Sequence, residues 1–339
     1  MSKLVLFIIG PTGSGKSKLA LMLARKLKFE IVSADSMQIY RGMDIGTAKP
    51  TEKEQRLVPH HLLDSISSRS ECSVYRYRKL ALQAIQKIMK KKRIPMIVGG
   101  SGFYIKALID GLGPLPGKHV QLRKKLEQID LSELYERLKE LDPSLAKKIH
   151  PNNKKRIVRA IEIMLTLREN NLQLVIPAKA GIQNNGSPIK AFGDDISYQI
   201  ATPAKKTGGL AMTEYNPILI GLERDRKELY KRIEKRVDQM FAVGWIDEVK
   251  HLKRSGFSKT ARYAIGYKEI SDYLEGKISY DEMTSQIKKR TRHLAKKQLT
   301  WFRKDKRIKW YFVSGEKYSS VFNKILAIFK LYMKTSHAS

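Results

Sequence analysis

The sequence contains few of the features that mark an exported or membrane protein. A single cysteine, Cys72, stands among its 339 residues, which excludes a disulfide framework and a thiolate zinc site and fits a reducing compartment. No apolar stretch approaches the roughly 18 residues that cross a bilayer, and the first residues lead into a strand pattern instead of a cleavable leader. We therefore expect a cytoplasmic protein with no membrane partner.

Acidic residues are also scarce. The chain has 33 Asp and Glu against 66 Lys and Arg, a formal net charge of +33. A small-molecule enzyme does not need such an excess, whereas a partner made of phosphates rewards it. A basic proteome with solvated lysines explains the same charge, so composition alone leaves both interpretations open.

A phosphate-binding motif stands near the start of the chain. The apolar run at residues 4–9 leads into residues 10–17, GPTGSGKS, which match G-x-x-x-x-G-K-[ST] ahead of a helical stretch at 16–28. Glycines let successive N–H groups converge on phosphate oxygens at a helix N-terminus. Lys16 reaches the terminal phosphate and the Ser17 hydroxyl can hold Mg²⁺, the expected cofactor. The predicted residues for the diphosphate or nucleotide are Gly10, Pro11, Thr12, Gly13, Ser14, Gly15, Lys16 and Ser17.

Strands that alternate with helices predict an α/β protein with a parallel sheet. Further strand patterns lie at residues 29–35, 94–102 and 217–225, and an amphipathic helix is predicted over 75–92. The expected fold is a P-loop NTPase-like core with a parallel sheet, a small inserted helical subdomain and a basic helical C-terminal part.

The pattern changes after the core strands, so we predict four regions. Residues 1–116 begin the core, and 117–170 form the helical subdomain, with helices at 120–129, 131–141 and 154–168 and a cap at Asn152 or Asn153. Residues 171–212 lose all periodicity, which predicts a flexible, dispensable insertion. Residues 213–339 complete the core and add the basic helices.

One basic helix is predicted to have two distinct faces. Ile287, Leu294 and Trp301 recur every seven residues and predict an apolar face. A second set, also spaced by seven, falls about 200° around the helix and predicts a cationic face: Lys289, Lys296 and Arg303, with Arg292 and His293 beside them. A solvated surface explains this stripe, but the aromatic residues nearby favour nucleic acid.

The strand pattern at 94–102 lacks the carboxylate that ATP-hydrolysing P-loop enzymes place there to hold Mg²⁺. It ends in Gly99, Gly100 and Ser101. An acidic residue, Asp35, follows the strand pattern at 29–35 instead, and parallel-sheet geometry sets it beside the phosphate site. Asp35 is either a turn cap or a general base toward an acceptor.

Seven segments carry a resemblance to a known family, in family order. They are residues 10–17, 33–50 (SADSMQIYRGMDIGTAKP), 59–64 (PHHLLD), 94–108 (IPMIVGGSGFYIKAL), 149–162 (IHPNNKKRIVRAIE), 261–270 (ARYAIGYKEI) and 292–304 (RHLAKKQLTWFRK). Together they resemble the tRNA dimethylallyltransferases over nearly all of the chain except 171–212. The resemblance implies transfer of a dimethylallyl group from dimethylallyl diphosphate to N6 of an adenine beside the tRNA anticodon, with release of diphosphate.

The resemblance also implies roles for individual residues. Asp35 would accept or orient the N6 proton, the Ser101 hydroxyl would bind substrate, and Arg226 would bind diphosphate. The implied tRNA-contact residues are Asp35, Ser36, Met37, Gln38, Ser101, Arg123, Arg159, Ala160, Ile161, Glu162, Ile163, Arg262, Tyr263, Ala264, Ile265, Gly266, Tyr267, Arg292 and Lys296. Departures from the family pattern are Gly13 for alanine, Ser17 and Ser101 for threonine, and the insertion.

Two other functions remain open at this stage. A small-molecule kinase with ATP in the loop would use the helical subdomain as a lid. A catalytically disabled homologue would bind RNA without prenyl transfer. In each case we expect a monomer.

Overall fold

The computed structural model describes residues 3–112, 116–169, 215–315 and 318–335. The predicted insertion at 171–212 lies outside the described residues. Within them, six strands form one sheet: β1 (Leu4–Ile9), β2 (Phe29–Ala34), β3 (His60–His61), β4 (Ile94–Gly99), β5 (Asn216–Glu223) and β6 (Lys309–Phe312).

The sheet has the order β3-β2-β4-β1-β5-β6, and each of its strand pairs is parallel. Strand β1 reads LVLFII and is buried at every position, as a strand covered on both faces requires. Leu6 pairs with Met96 on one side and with Ile218 on the other. The predicted α/β class with a parallel sheet is confirmed.

Helices connect the strands and extend the chain beyond the sheet. They are α1 (Lys16–Lys26), α2 (Glu52–Leu57), α3 (Val74–Lys90), α4 (Gly102–Ile109), α5 (Val120–Gln128), α6 (Leu131–Leu141), α7 (Pro143–Ala146), α8 (Lys154–Glu169), α9 (Arg226–Ala242), α10 (Trp245–Ser255), α11 (Lys259–Arg262), α12 (Tyr267–Leu274), α13 (Tyr280–Phe302) and α14 (Tyr318–Thr335). The predicted helices at 16–28, 75–92, 120–129 and 131–141 differ from these by at most two residues at either end.

Two elements differ from prediction for local reasons. Strand β4 stops at Gly99, three residues before the predicted end, because Ser101 is already the N-cap of α4. Helix α13 begins at Tyr280, seven residues before the apolar stripe that predicted it. Ser279 and Glu282 form a capping box there, which satisfies two otherwise unpaired N–H groups.

The chain divides into two compact units, Met1–Asp110 with Leu210–Ser339, and Gly111–Gly209. In the first, α1 and α14 cover one face of the sheet, and Phe29 meets Phe329 edge to face at 4.8 Å. In the second, α5, α6, α7 and α8 enclose their own core, which includes Leu134 and Ile157. Asn153 accepts a hydrogen bond from Arg156 N at 3.3 Å, so the predicted cap of α8 is confirmed.

The predicted apolar face of α13 is wrong at Leu294, which is 37% exposed. The buried row instead advances in steps of four along the helix, through Met283, Ile287, Thr291 and Ala295. Four residues turn an α-helix by about 400°, so this buried row winds around the helix by about 40° at each step. A stripe spaced by seven residues stays on one face of the helix, so part of it lies outside this buried row.

Candidate functional site

The phosphate-binding loop joins β1 to α1 at the carboxyl edge of the sheet. Gly10, Gly13 and Gly15 all have positive φ, at 143°, 82° and 100°. A side chain at Gly10 would also place Cβ 2.6 Å from the Leu222 carbonyl oxygen. Only glycine tolerates both constraints, so the local sequence determines this turn. Ser17 follows in the first turn of α1, where the helix N-terminus favours an anion.

Lys16 is partly buried beside the loop, and its Nζ donates to the Pro11 carbonyl at 2.7 Å. Burial and, as a smaller cause, the nearby Arg236 charge lower its pKa to about 7, and Asp35 opposes both. A bound anion restores the charge on such a lysine, because it offsets the desolvation that disfavours the ammonium. Lys16 is therefore placed to be charged in the presence of a phosphorylated ligand.

Two arginines from α9 reach the same loop. Arg232 Nε donates to the Gly13 carbonyl at 3.0 Å, and Arg236 Nη2 donates to Thr12 Oγ1 at 2.6 Å. In the described part of the chain, the buried Nε of Arg236 has no hydrogen-bond partner. Burial lowers the pKa of Arg236, and Arg232 adds to that effect. A buried guanidinium with an unused donor at a phosphate-binding loop fits an anionic ligand.

Arg226, which the sequence predicts as the diphosphate ligand, lies elsewhere. It is the exposed first residue of α9, its Nε donates to Tyr230 Oη at 3.1 Å, and its guanidinium lies 5.3 Å from that ring. The side chain follows its own helix to the residue four positions later and does not line the cavity. The arginines of α9 that line the cavity are instead Arg232 and Arg236, and no local pattern in the sequence distinguishes them from Arg226.

A cavity of about 500 Å³ opens beside the loop in the first unit. Polar and charged groups from several parts of the chain line it, together with apolar side chains from α1, β2 and β4. Its lining includes Thr12, Gly13, Gly15, Lys16, Ser17, Asp35, Gln38, Thr47, Ala48, Lys49, Pro50, Arg232, Arg236 and Gln298. Its volume suits a small phosphorylated molecule.

Asp35 follows β2 and lines this cavity. Its Oδ1 accepts from Met37 N at 2.8 Å and from Gln38 N at 3.4 Å, so the turn-cap interpretation is correct. Within the described residues Oδ2 accepts no hydrogen bond, which leaves it for a substrate proton. One oxygen of Asp35 therefore caps the turn, and the other is left for the general-base role, which stays a prediction.

The neighbours of Asp35 are held by hydrogen bonds within the protein. Ser101 Oγ accepts from Ser36 N at 3.0 Å, and its own proton remains to be donated. The Gln38 amide accepts from Ser33 Oγ at 3.0 Å and donates to the carbonyls of Thr47 and Ala48. Gln38 thus fixes the cavity wall with its side-chain amide, and Ser36 and Met37 are partly buried beside it. Their predicted contact with tRNA is untested.

Gln298 is a cavity residue that the sequence interpretation missed. Its Oε1 accepts from Thr12 N at 2.7 Å and its Nε2 donates to the Gly100 carbonyl at 3.0 Å. Trp301, one turn later on α13, packs against Gly102, where a Cβ would lie 2.2 Å from the indole. Helix α13 therefore joins the loop to the end of β4. Both residues lie within the family motif at 292–304, which the sequence interpretation connects only with RNA contact.

In the helical unit, the predicted tRNA contacts form a buried ion cluster. Glu162 is 0% exposed and accepts from Arg123 Nε and Nη2, at 3.1 and 2.5 Å, and from His119 N at 2.6 Å, while Arg159 lies 3.0 Å away. Burial alone would raise the pKa of Glu162, but these hydrogen bonds outweigh it and hold the pKa below its usual value. The side chain of Glu162 stabilises the unit and is not available to RNA.

Three further residues on this helix that are predicted to contact tRNA have buried side chains. Ala160, Ile161 and Ile163 are 0%, 1% and 0% exposed. They lie on the apolar face of α8, where burial in a core is the physical reason for their residue types. Arg123 and Arg159 retain partial exposure beside Glu162.

The segment at residues 262–267, which is predicted to contact tRNA, has both exposed and buried residues. Arg262 and Tyr263 are exposed, and Ile265 is partly buried. Ala264, Gly266 and Tyr267 are buried, and their predicted contact with tRNA stays a prediction. They pack inward because the segment turns from α11 into α12. Only the first part of the segment offers side chains to a partner.

On α13 the cations differ in how free they are. Lys296 and Lys289 are exposed, whereas Arg292 pairs with Glu234 and Arg303 with Glu223. A paired arginine still presents donors, but part of its charge is already compensated. The two lysines are therefore the stronger positions for phosphate contact on this face.

Ser17 and Asp35 offer the oxygen ligands that Mg²⁺ prefers, and both line the cavity. In the described ranges no cluster of three or more His, Cys, Asp or Glu forms a metal site. The donors fit an ion held mainly by ligand phosphates and water. Among the described helices, none combines the length and the apolar character needed to span a membrane.

The fold and the site define a P-loop type of α/β protein, in which a loop at the carboxyl edge of a parallel sheet binds a phosphorylated ligand. Residues 38–305 match the family model described as IPP transferase. The chain belongs to the IPP transferase family, and the resemblance inferred from the motifs is confirmed.

Individual relatives agree with this assignment over nearly their full length. The chain is 40% identical to the tRNA dimethylallyltransferase of Halothermothrix orenii, over 95% of this chain and 91% of the relative. It is 41% identical to that of Geobacter sulfurreducens, over 91% and 92%. The crystal structure of the tRNA isopentenylpyrophosphate transferase from Bacillus halodurans superposes with a TM-score of 0.66 at 35% identity, over 99% of this chain and 100% of that one.

Proposed function

We propose that this protein transfers the dimethylallyl group of dimethylallyl diphosphate to N6 of the adenine next to the tRNA anticodon. The observation that carries the proposal is one cavity in which Lys16, Arg232 and Arg236 surround the phosphate-binding loop while Asp35 faces the same space. In the reaction the bond from the prenyl carbon to the diphosphate oxygen breaks, and a bond from that carbon to N6 forms. The N6 proton goes to a base and diphosphate leaves.

The cationic side of the cavity supports departure of the diphosphate. The loop N–H groups, Lys16 and Arg236 are fixed before the reaction, so they stabilise the negative charge that develops on the leaving oxygen without reorganising. Mg²⁺, when bound with Ser17 as a ligand, supplies further charge neutralisation. The pKa of about 7 for Lys16 means that diphosphate binding brings a proton to this lysine near neutral pH.

Asp35 supports the other half of the reaction. The lone pair of an adenine amine is delocalised into the ring, so removing the N6 proton during attack increases its nucleophilicity. Oδ1 holds the turn through Met37 and Gln38, and this fixes the direction of the carboxylate. Oδ2 then accepts the N6 proton from the adenine, which has been extruded from the RNA into the cavity.

The charge of +33 supports a polyanionic acceptor. Exposed Lys289 and Lys296 on α13, and Arg262 before α12, are positions for phosphate contact. Sequence-specific readers of RNA favour single-stranded loops with splayed bases, which suits an anticodon loop. We place the activity in a cytoplasmic monomer.

The test is incubation of the purified protein and Mg²⁺ with unmodified tRNA and labelled dimethylallyl diphosphate. We expect label in tRNA and, after nuclease digestion, in a single N6-modified adenosine beside the anticodon. Transfer of phosphate from ATP to a small acceptor, with no label in tRNA, would support the kinase alternative. Tight tRNA binding with neither reaction would show a disabled homologue.

A further inference from the structure

One face of α10 covers the whole length of the loop at residues 42–46. At one end, Leu252 lies 3.2 Å from the position a Cβ on Gly42 would take. At the other, the Trp245 indole lies 2.1 Å from the Cβ position of Gly46. Trp245 and Leu252 are seven residues apart and so project from the same face of the helix. A side chain at Gly46 would therefore collide with the indole, while one at Gly42 would press on Leu252 and be strained by the φ of 75°.

Glu248 lies between them on this face and binds the loop backbone directly. Its Oε2 accepts from Asp44 N at 2.9 Å and Ile45 N at 2.7 Å, and its Oε1 accepts from Gly46 N at 3.2 Å. Three successive N–H groups thus converge on a carboxylate of the protein itself, an arrangement that elsewhere binds free anions. The chain continues from Gly46 into residues 47–50, which line the cavity.

The same carboxylate holds a second segment. Glu248 Oε1 accepts from the Tyr267 hydroxyl at 2.7 Å, and Tyr267 ends the segment at residues 262–267. Burial raises the pKa of Tyr267 well above its usual value, and the Glu248 charge raises it further, so the phenol stays protonated and donates. Gly266, at φ 91°, packs against Trp245 so closely that a Cβ would lie 1.9 Å from the ring.

We propose that Glu248 is a positioning residue that holds the cavity wall at residues 47–50 and the segment at 262–267 in one geometry, so that tRNA docked on the segment finds the wall correctly placed around the prenyl diphosphate. The role of tRNA rests on the proposed function. The holding of both segments by one carboxylate does not, since it follows from four hydrogen bonds within the protein.

Amide hydrogen exchange on the full chain tests the holding role without any substrate. Glu248→Gln keeps one acceptor oxygen but places an NH2 donor opposite N–H or O–H donors. We therefore expect backbone amide hydrogens in 44–46 and in 262–267 to exchange at least about tenfold faster. Tyr267→Phe keeps the three loop bonds and should change 262–267 alone. The controls are Asp247→Asn, an exposed acid on the same helix, and Tyr280→Phe, an exposed tyrosine; neither should alter the two segments.

Steady-state prenyl transfer then separates positioning from mere stability. Glu248→Gln should raise KM for dimethylallyl diphosphate and for tRNA several-fold, whereas Tyr267→Phe should raise only KM for tRNA. Unchanged exchange at 44–46 in Glu248→Gln, or faster exchange spread evenly over the sheet, would overturn the proposal. So would equal KM values for parent and both variants. A parent that transfers no prenyl group contradicts the proposed function instead, and the exchange result still decides the role of Glu248.

Discussion

Replacing Arg236 by glutamine is expected to weaken diphosphate binding far more than the same replacement at Arg226. Arg236 reaches Thr12 of the phosphate-binding loop and has a buried Nε without a partner among the described residues, whereas Arg226 contacts Tyr230 on its own helix. A hydrogen bond to a charged group contributes about 1.5–3 kcal/mol. At 1.4 kcal/mol for each factor of ten, the loss is about 10- to 150-fold in affinity for Arg236→Gln. Arg226→Gln should change it less than about threefold, the range of most exposed substitutions.

The same variant should also change how affinity depends on pH. The pKa of Lys16 is about 7 in the free protein and the anion favours its charged form, so affinity falls as pH rises above about 7. Arg236 is one cause of that low pKa. Without its charge, the Lys16 pKa rises and the fall moves to higher pH, although burial, the larger cause, remains.

Isothermal titration calorimetry with inorganic diphosphate and Mg²⁺, from pH 6 to 9, measures both effects. Arg226→Gln is the matched control, because it removes an arginine from the same helix and leaves ligand protonation the same. A larger loss for Arg226→Gln than for Arg236→Gln would refute the assignment, and identical pH profiles for parent and Arg236→Gln would refute the coupling to Lys16.

Three other predictions concern catalysis, stability and RNA binding. Asp35→Asn should leave inorganic diphosphate and tRNA binding within about threefold but lower the single-turnover rate at least about 100-fold, as loss of a general base does; an unchanged rate would remove Asp35 from that role. Glu162→Gln should destabilise the protein by about 3–5 kcal/mol near pH 7, because it leaves two arginines beside a neutral buried group. Because the folded-state pKa of Glu162 is depressed, its contribution to stability is present above the unfolded-state pKa and is lost as pH falls. The melting temperatures of parent and variant should therefore converge toward acid pH. A difference that stays constant with pH would contradict this. Replacing Lys289 and Lys296 together by glutamine should reduce the slope of log tRNA affinity against log salt concentration by up to about two. Arg303→Gln should reduce this slope by less, because Arg303 is already paired with Glu223. Parallel lines for parent and double variant would show that the two lysines form a merely solvated surface.

Local chemistry in the sequence determined the parts of the protein that depend on neighbouring residues. Glycines at positive φ, a lysine and a hydroxyl at fixed spacing are sufficient for the phosphate-binding loop, since the turn and the helix N-terminus are made within eight residues. The helices of the inserted unit follow from period and caps, as Asn153 shows. Buried apolar strands separated by helices predict a parallel sheet, and the motifs predict the family.

Tertiary structure decided which side chains reach the cavity. Thr12 is bound by Arg236, 224 positions away, and by Gln298, 286 positions away. No local pattern distinguishes Arg236 from Arg226, because both are helix-surface arginines until the crossing of α9 over the loop selects one. Which residues of α13 are buried likewise depends on the helices packed against it, α4, α9 and α12, and these leave Leu294 exposed. Residue type and spacing thus determined the chemistry of the loop, whereas contacts between distant elements, which depend on packing, determined its partners.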